Sequence, residues 1–133
     1  MKRGLAPLED LHLEALVEEE EEETMEPRFV YITANNSDEA MAIGRELVSS
    51  RLVACVNIFH PVLSLYWWKG AVQEDEEVVI VAKTREDLVD DLIEKVKSLH
   101  SYDCPCIVVL PIVEGYRPFL KWIAEETVLP TGQ

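Results

Sequence analysis

The hydrophobic pattern along the chain predicts four β-strands. Short apolar runs rich in β-branched and aromatic residues are typical of strands. Such runs lie at residues 28–34, 52–58 and 106–110. The run at 52–58 continues past a break at Pro61 into a pair of runs that flank Lys69-Gly70, which predicts a β-hairpin.

Apolar residues at intervals of three and four predict three helices. The first follows Asn35–Ser37, which has helix-capping chemistry, and the second follows Thr84–Asp87, which resembles a capping box. Pro118 suits the first turn of the third. The apolar faces comprise Ala40, Ile43, Gly44, Leu47 and Val48 in the first helix, Val89, Leu92, Ile93, Val96 and Leu99 in the second, and Phe119, Trp122 and Ile123 in the third.

The predicted hairpin is longer than usual, because strands commonly have about five or six residues. Trp67 and Trp68 lie near its tip, and adjacent strand residues point to opposite faces. A long ribbon of this kind projects beyond a small body and needs a surface to pack on. We therefore expect the chain to self-associate.

The order strand, helix, strand, strand, helix, strand, helix indicates the fold class. Its first six elements form the split β-α-β unit twice, which predicts an α+β, ferredoxin-like β-α-β-β-α-β sandwich with an extra C-terminal helix. Both long helices should cover one face of the sheet. The other face would be bare in a monomer, so closed rotational symmetry would remove an exposed apolar surface and open strand edges.

Residues 1–27 differ in character from the rest of the chain. They include six consecutive glutamates, Glu18–Glu23. Like charges repel along a helix and leave nothing to bury, so we expect a disordered acidic tail before a domain at 28–133. A tail that scavenges metal ions is the alternative.

Charge and composition narrow the function. The formal net charge is −14, with 26 acidic against 12 basic residues, which disfavours nucleic acid as a partner. The sequence contains no run of about 18 apolar residues, so we predict no membrane span. Glu9 and Asp10 interrupt the apolar segment that an export signal would need. An odd number of cysteines, three, does not make a disulfide framework. We therefore expect a cytoplasmic protein.

The candidate metal ligands are His100, Cys104 and Cys106, which lie within seven residues. Thiolates and imidazole suit copper or zinc. The alternative is structural: a helix-capping histidine, a turn cysteine and a small core cysteine. Cys55 lies in an apolar run and is either a buried thiol or a further ligand. The acidic residues 74–77 form either a hard-cation site or the solvated start of a strand.

Enzyme chemistry has no visible basis in the sequence. We find no nucleophile elbow, phosphate-binding loop, dinucleotide fingerprint or paired acid–base carboxylates at a defined spacing. We therefore do not expect an enzyme.

Several ordered segments resemble the CutA divalent-cation tolerance family. Arg51–Ile58 (RLVACVNI) is similar to its RLAACVN signature, and Ser64–Gly70 (SLYWWKG) to its S-x-Y-x-W-x-G segment. The resemblance covers Phe29 to Thr127. Further matches in order and spacing are Glu74–Val78, Lys83-Thr84, Leu99–Pro105 and Leu110–Ile112.

The resemblance implies a ferredoxin-like homotrimer that binds divalent metal ions and is linked to copper tolerance. It also implies a likeness to the PII signalling proteins, and in some relatives an association with a neural membrane enzyme. Some bacterial members carry a cysteine where this chain has Ala34, and paired histidines where it has Leu99-His100. Ser101 and Cys106 replace the proline and glutamate of the usual pattern.

Three hypotheses follow for the function. The first is a homotrimeric copper-binding tolerance protein with ligands among His100, Cys104, Cys106 and Cys55. The second is a PII-like small-molecule sensor, with an inter-subunit cleft near His100. The third is a trimeric scaffold for another protein. For the sensor hypothesis, the residues that line the cleft would be Trp68, Lys83, His100 and Tyr102, and Lys83 would bind an anion.

Overall fold

A computed structural model describes residues 26–129, and its elements follow the predicted order. The elements are β1 (Pro27–Ala34), α1 (Ser37–Ser49), β2 (Cys55–Trp68), β3 (Ala71–Arg85), α2 (Val89–Leu99), β4 (Ile107–Pro111) and α3 (Arg117–Glu126). Between β3 and α2 lies a 3-10 turn at Glu86–Leu88. The four strands form one antiparallel sheet in the order β2-β3-β1-β4, which confirms the ferredoxin-like α+β fold.

The predicted acidic tail lies outside the described residues, except for Glu26 and Pro27. Pro27 is already the first residue of β1. No helix within residues 26–129 is long and apolar enough to cross a membrane.

The core lies between the sheet and the two long helices, α1 and α2. Alternate residues of each strand point toward these helices, and we call this side of the sheet the helix face and the other side the far face. The core cluster comprises Val30, Ile32, Ala34, Ala40, Ile43, Leu47, Leu52, Val53, Val78, Ile80, Ala82, Leu88, Leu92 and Val96.

Helix α1 begins with the predicted cap. The Asn36 side chain accepts a hydrogen bond from the backbone N–H of Glu39 at 2.8 Å, which satisfies one of the unpaired amides of the first turn. At the other end, the strand expected from residue 52 begins at Cys55. The backbone N–H groups of Leu52 and Val53 donate to the carbonyl of Leu47 instead. Both residues therefore belong to the segment that leaves α1, and both side chains are buried.

The capping box predicted at Thr84–Asp87 is wrong. Thr84 and Arg85 belong to β3, and no side chain caps the 3-10 turn or α2. Thr84 is fully buried and its hydroxyl donates to the carbonyl of Leu52 at 2.7 Å. The Thr84 hydroxyl therefore connects β3 to the segment after α1 instead of capping a helix.

The far face is not bare in the single chain, because α3 contacts β3 and β1. Arg85 alternates with core residues of β3 and therefore lies on the far face, where its guanidinium donates to the carbonyl of Ala124 at 3.2 Å. Val79 and Val81 on this face are buried, as is Ile123 of α3. Beyond the helix, Phe59, Val108 and Leu110 stay about half exposed.

The central hairpin is confirmed and extends past the sheet. Residues 78–85 of β3 pair with β1, and residues 79–83 pair with β2 as well, whereas residues 71–77 pair with β2 alone. We call this two-stranded extension, residues 62–77, the ribbon. Its turn, Lys69-Gly70, has φ values of 50° and 80°, the left-handed pair of a type I′ turn. The register shifts between Phe59 and Val62, where the break was predicted.

Candidate functional site

A cleft of about 520 Å³ lies between the ribbon and the loop that joins α2 to β4. Thr33 and Glu77 alternate with the core residues Ile32 and Val78, so the cleft opens on the far face of the sheet. It is lined by Thr33, Ser64, Tyr66, Trp68, Glu77, Tyr102, Asp103, Cys104 and Cys106.

Tyr102 joins the loop to the ribbon. Its hydroxyl donates to the Glu77 carboxylate at 2.8 Å, and Glu77 is only 9% exposed. Burial raises the pKa of Tyr102, and the adjacent Glu77 carboxylate raises it further, because both disfavour the phenolate. The phenol therefore stays protonated and holds a nearly buried carboxylate in place.

The side chain of His100 is fully buried beneath Tyr102, with ring centroids 4.6 Å apart. Its Nδ1 accepts from the backbone N–H of Tyr102 at 3.1 Å. Because that amide can only donate, Nε2 carries the proton and donates to the carbonyl of Thr33 at 2.7 Å. Both ring nitrogens of His100 are thus occupied by backbone groups.

Glu39 fixes the start of the same loop. Its carboxylate accepts from the backbone N–H of Asn35 and from that of Ser101, each at 2.8 Å. Burial alone would raise the pKa of Glu39, but the hydrogen bonds from Asn35 and Ser101 outweigh it and lower the pKa. The cap of α1 is therefore joined to the loop that carries the candidate ligands.

Cys104 and Cys106 are exposed free thiols, and both line the cleft. Trp68 and Tyr102, which the sequence predicted for an inter-subunit cleft, line this cleft within the single chain. The structure therefore brings four of the predicted site residues together, with His100 directly behind them.

Cys55 and Lys83 lie apart from this cleft within the single chain. They are direct partners across β2 and β3, in the body of the sheet rather than in the ribbon. The Lys83 ammonium donates to the side chain of Asn57. Neither residue is among those that line the cleft.

Sequence reasoning missed the polar half of the cleft. Glu77 belongs to an acidic run that a sequence alone favours as solvated, yet it is nearly buried. The alternation of side chains along the strand could have identified it. Glu77 directly precedes the core residue Val78, so its side chain faces away from the helices. Tyr66 was also missed; its hydroxyl donates to Asp75, which raises the pKa of Tyr66.

The cleft contains side chains that can donate to a metal ion. Two thiols and the carboxylates of Glu77 and Asp103 are donors that copper or zinc accepts. Within residues 26–129, no three His, Cys, Asp or Glu side chains are grouped closely enough to hold a metal ion. The donor chemistry fits a soft or borderline cation.

The family profile described as CutA1 divalent ion tolerance protein matches residues 28–126. The chain belongs to the CutA1 family. The resemblance found in RLVACVNI and SLYWWKG is thereby confirmed.

Individual CutA proteins agree with this assignment. The chain is 43% identical over 100 residues to the divalent-cation tolerance protein CutA of Archaeoglobus fulgidus, covering 75% of this chain and 96% of that protein. It is 42% identical over 98 residues to the chloroplastic Protein CutA 1 of Oryza sativa subsp. japonica, covering 74% of this chain and 55% of the rice protein.

The fold is likewise similar to solved CutA structures. The divalent cation tolerance protein (Cut A1) from Thermus thermophilus superposes with a TM-score of 0.76 at 43% identity, over 77% of this chain and 99% of that one. CutA1 from Oryza sativa gives a TM-score of 0.75 at 40% identity, over 79% of this chain and 97% of that one. The CutA1 fold therefore spans the described domain.

Proposed function

We propose that this chain is a homotrimeric divalent-cation-binding tolerance protein, with copper as the preferred ion. The observation that carries the proposal is the placement of two free, exposed thiols, Cys104 and Cys106, in an acidic cleft. Thiolates favour soft and borderline cations, and neighbouring carboxylates favour positive charge. Water, Asp103 or a neighbouring subunit would complete the coordination.

His100 remains a predicted ligand, with a structural cost. To bind an ion, one ring nitrogen would have to give up its hydrogen bond to Thr33 or Tyr102. The geometry supports the two thiols as primary ligands and His100 as the support of Tyr102. X-ray absorption of the zinc-loaded protein distinguishes the two arrangements, because it separates sulfur from nitrogen donors.

A cadmium titration tests the thiol site. Cadmium is a divalent probe whose thiolate complexes absorb in the ultraviolet, and it avoids the thiol oxidation that copper drives. We expect the Cys104→Ser/Cys106→Ser variant to lose the band and at least tenfold in affinity, because even outer-shell partners contribute roughly 10–100-fold. The Cys55→Ser variant is the matched control.

Two results would count against this site. Unchanged affinity in the double variant removes the cleft thiols, and a loss confined to Cys55→Ser moves the site to the body of the sheet. Elemental analysis of protein purified without chelator or affinity metal then identifies the ion that the protein carries.

The ribbon supports assembly. A two-stranded hairpin is marginally stable alone, and one of its faces presents four apolar side chains to solvent. Their exposed fractions are 63% for Leu63, 63% for Leu65, 73% for Trp67 and 58% for Val72. Because β2 and β4 are the edge strands of the sheet, a neighbouring copy can cover both the ribbon and an edge. The choice of three copies rests on the family resemblance.

Sedimentation equilibrium tests the assembly. We expect a mass three times the 15.2 kDa of the chain. Trp67→Ala should weaken assembly, because burying a Trp side chain removes about 150–250 Å² from water. Trp68→Ala is the comparison, since Trp68 lies on the cleft face. A species of single-chain mass at micromolar concentration would refute the proposal.

A small-molecule sensor is the second candidate function. The cleft volume and its three aromatic rings favour it, since such pockets suit small ligands. An anion held by Lys83 finds no support in the single chain, because Lys83 does not line the cleft. The cytoplasmic location and the lack of enzymatic activity remain predictions.

A further inference from the structure

The cleft combines aromatic rings with negative charge and lacks basic groups. Its nine lining residues include three aromatic side chains and two carboxylates, but no Lys or Arg. We propose that the cleft binds an organic ammonium ion, a cation with alkyl groups on nitrogen, between Trp68, Tyr66 and Tyr102. Aromatic faces attract such cations electrostatically and also bury their alkyl groups.

Two of the three rings are held in place. Tyr102 is fixed by its bonds to Glu77 and His100 and by the contact with the His100 ring. Tyr66 is tied to Asp75 on the next strand. Fixed rings lose little conformational freedom when a ligand binds, so more of the contact energy appears as affinity.

Trp68 is available and already lies beside a cation. It is 44% exposed, and the Lys69 ammonium lies 6.0 Å from its ring centroid. That distance is at the outer limit of a cation–π contact. A free ammonium ion that enters the cleft can approach the ring more closely than Lys69, which belongs to the turn.

The charge of the cleft selects against anions and neutral ligands. The Glu77 carboxylate lies in the wall of the cleft and accepts one hydrogen bond from Tyr102. Asp103 lines the same cleft and is exposed. The whole chain carries a net charge of −14, so its field also attracts cations. The volume of about 520 Å³ is large enough for a small organic molecule.

This site shares the cleft carboxylates with the proposed metal site but differs from it in the other groups that it uses. The ammonium ion contacts the aromatic faces, whereas the metal ion requires the thiols of Cys104 and Cys106. The double serine variant should therefore lose cadmium but keep the ammonium ion. The two proposals can accordingly fail independently.

Calorimetric titration with choline tests the inference on the full chain, in the presence of a chelator and at constant ionic strength. The matched ligand is 3,3-dimethylbutan-1-ol, which has the same shape without the charge. We expect choline to bind about tenfold more tightly than the neutral alcohol, since the cation–π term amounts to roughly one such factor.

Variants locate the binding. Trp68→Ala should reduce choline affinity about tenfold, and Trp68→Phe, which keeps an aromatic face, should reduce it less. Trp67→Ala is the matched control, because it removes the neighbouring ring on the opposite face; compared at the same oligomeric state, it should leave the affinity unchanged.

The proposal is overturned by equal affinity for choline and the neutral alcohol, by unchanged affinity in Trp68→Ala, or by no binding of choline to the wild-type chain. Retained choline binding in the Cys104→Ser/Cys106→Ser variant supports the assignment to the aromatic wall, and its loss there contradicts it.

Discussion

Two tyrosine–carboxylate pairs occupy the same face of the molecule and differ in burial. Tyr102 donates to Glu77, which is 9% exposed, and Tyr66 donates to Asp75 in an exposed pair on the ribbon. Removing each hydroxyl by substitution with phenylalanine compares the same chemistry in two environments. We predict that Tyr102→Phe destabilises the fold and that Tyr66→Phe has little effect.

The magnitude follows from the buried partner. A hydrogen bond to a charged group contributes about 1.5–3 kcal/mol when it is sheltered from water. Tyr102 is itself half-buried, so solvent screening reduces the figure. We therefore expect Tyr102→Phe to cost about 1–2 kcal/mol, most of it from leaving the Glu77 carboxylate without its donor.

The assay is denaturant unfolding followed by circular dichroism, with all variants at one protein concentration so that assembly contributes equally. A double-mutant cycle with Glu77→Gln isolates the pair, and its coupling energy should be about 1 kcal/mol. Equal costs for Tyr102→Phe and Tyr66→Phe, or additive effects of Tyr102→Phe and Glu77→Gln, would refute the reasoning.

The same pair gives a dependence on pH whose sign is fixed. The pKa of Tyr102 is raised in the folded chain above its ordinary value of 10.0, so the folded state keeps its proton while the unfolded state loses it. Its contribution to stability is present below pH 10.0 and is lost as the pH rises above that value. Wild type should lose stability faster than Tyr102→Phe in this range; parallel slopes would contradict the assignment.

Three further predictions concern other parts of the chain. The lowered pKa of Glu39 means that its contribution to stability is present above its ordinary value of 4.5 and is lost as the pH falls below it; Glu39→Gln should flatten the acid limb of a pH–stability curve, and an unchanged limb would assign that limb to other groups. A chain starting at Met25 should melt within about 5 °C of the full chain, roughly 1 kcal/mol, and a larger drop by calorimetry would show that residues 1–24 pack. Gly70→Ala should cost about 1 kcal/mol in denaturant unfolding, because φ is +80° there and a Cβ meets nothing within 4 Å; a neutral result would mean that the turn relaxes.

The fold could be predicted because its signals are local. Alternating and helical apolar spacing predicts each element, and Lys69-Gly70 predicts the turn, where both residues have positive φ. Pro61 likewise marked the irregularity in β2. The order of these elements then limits the topology to few arrangements, of which the split β-α-β repeat is the most regular.

What sequence reasoning missed depends on contacts between distant residues. Thr84 has the composition of a helix cap, but Leu52 lies next to it only after the sheet has formed. The covering of the far face by α3 depends in the same way on Arg85 and Ala124. Local patterns contain no information about these partners, so tertiary structure overrides the propensity.

The candidate site was half predictable for the same reason. Cys104 and Tyr102 are two positions apart in the sequence, so they must lie close together in the structure. Their residue types also indicate directly which groups they can contribute to a site. Glu77 and Tyr66 join them only through strand register, and the full engagement of His100 depends on the carbonyl of Thr33. A histidine beside two cysteines reads as a ligand until its backbone partners are known.

The alternation of side chains links assembly to the cleft. Trp67 and Trp68 are neighbours on one strand, so one faces the apolar side of the ribbon while the other faces the cleft. Among the described strands, residues 71–77 of β3 pair only with β2, and a two-stranded segment is only marginally stable by itself. We expect a cover on the apolar face to stabilise the geometry of the cleft face. A neighbouring subunit that buries Trp67 would therefore also hold Trp68 and Tyr66 in place, and ligand affinity becomes a property of the assembly rather than of one chain.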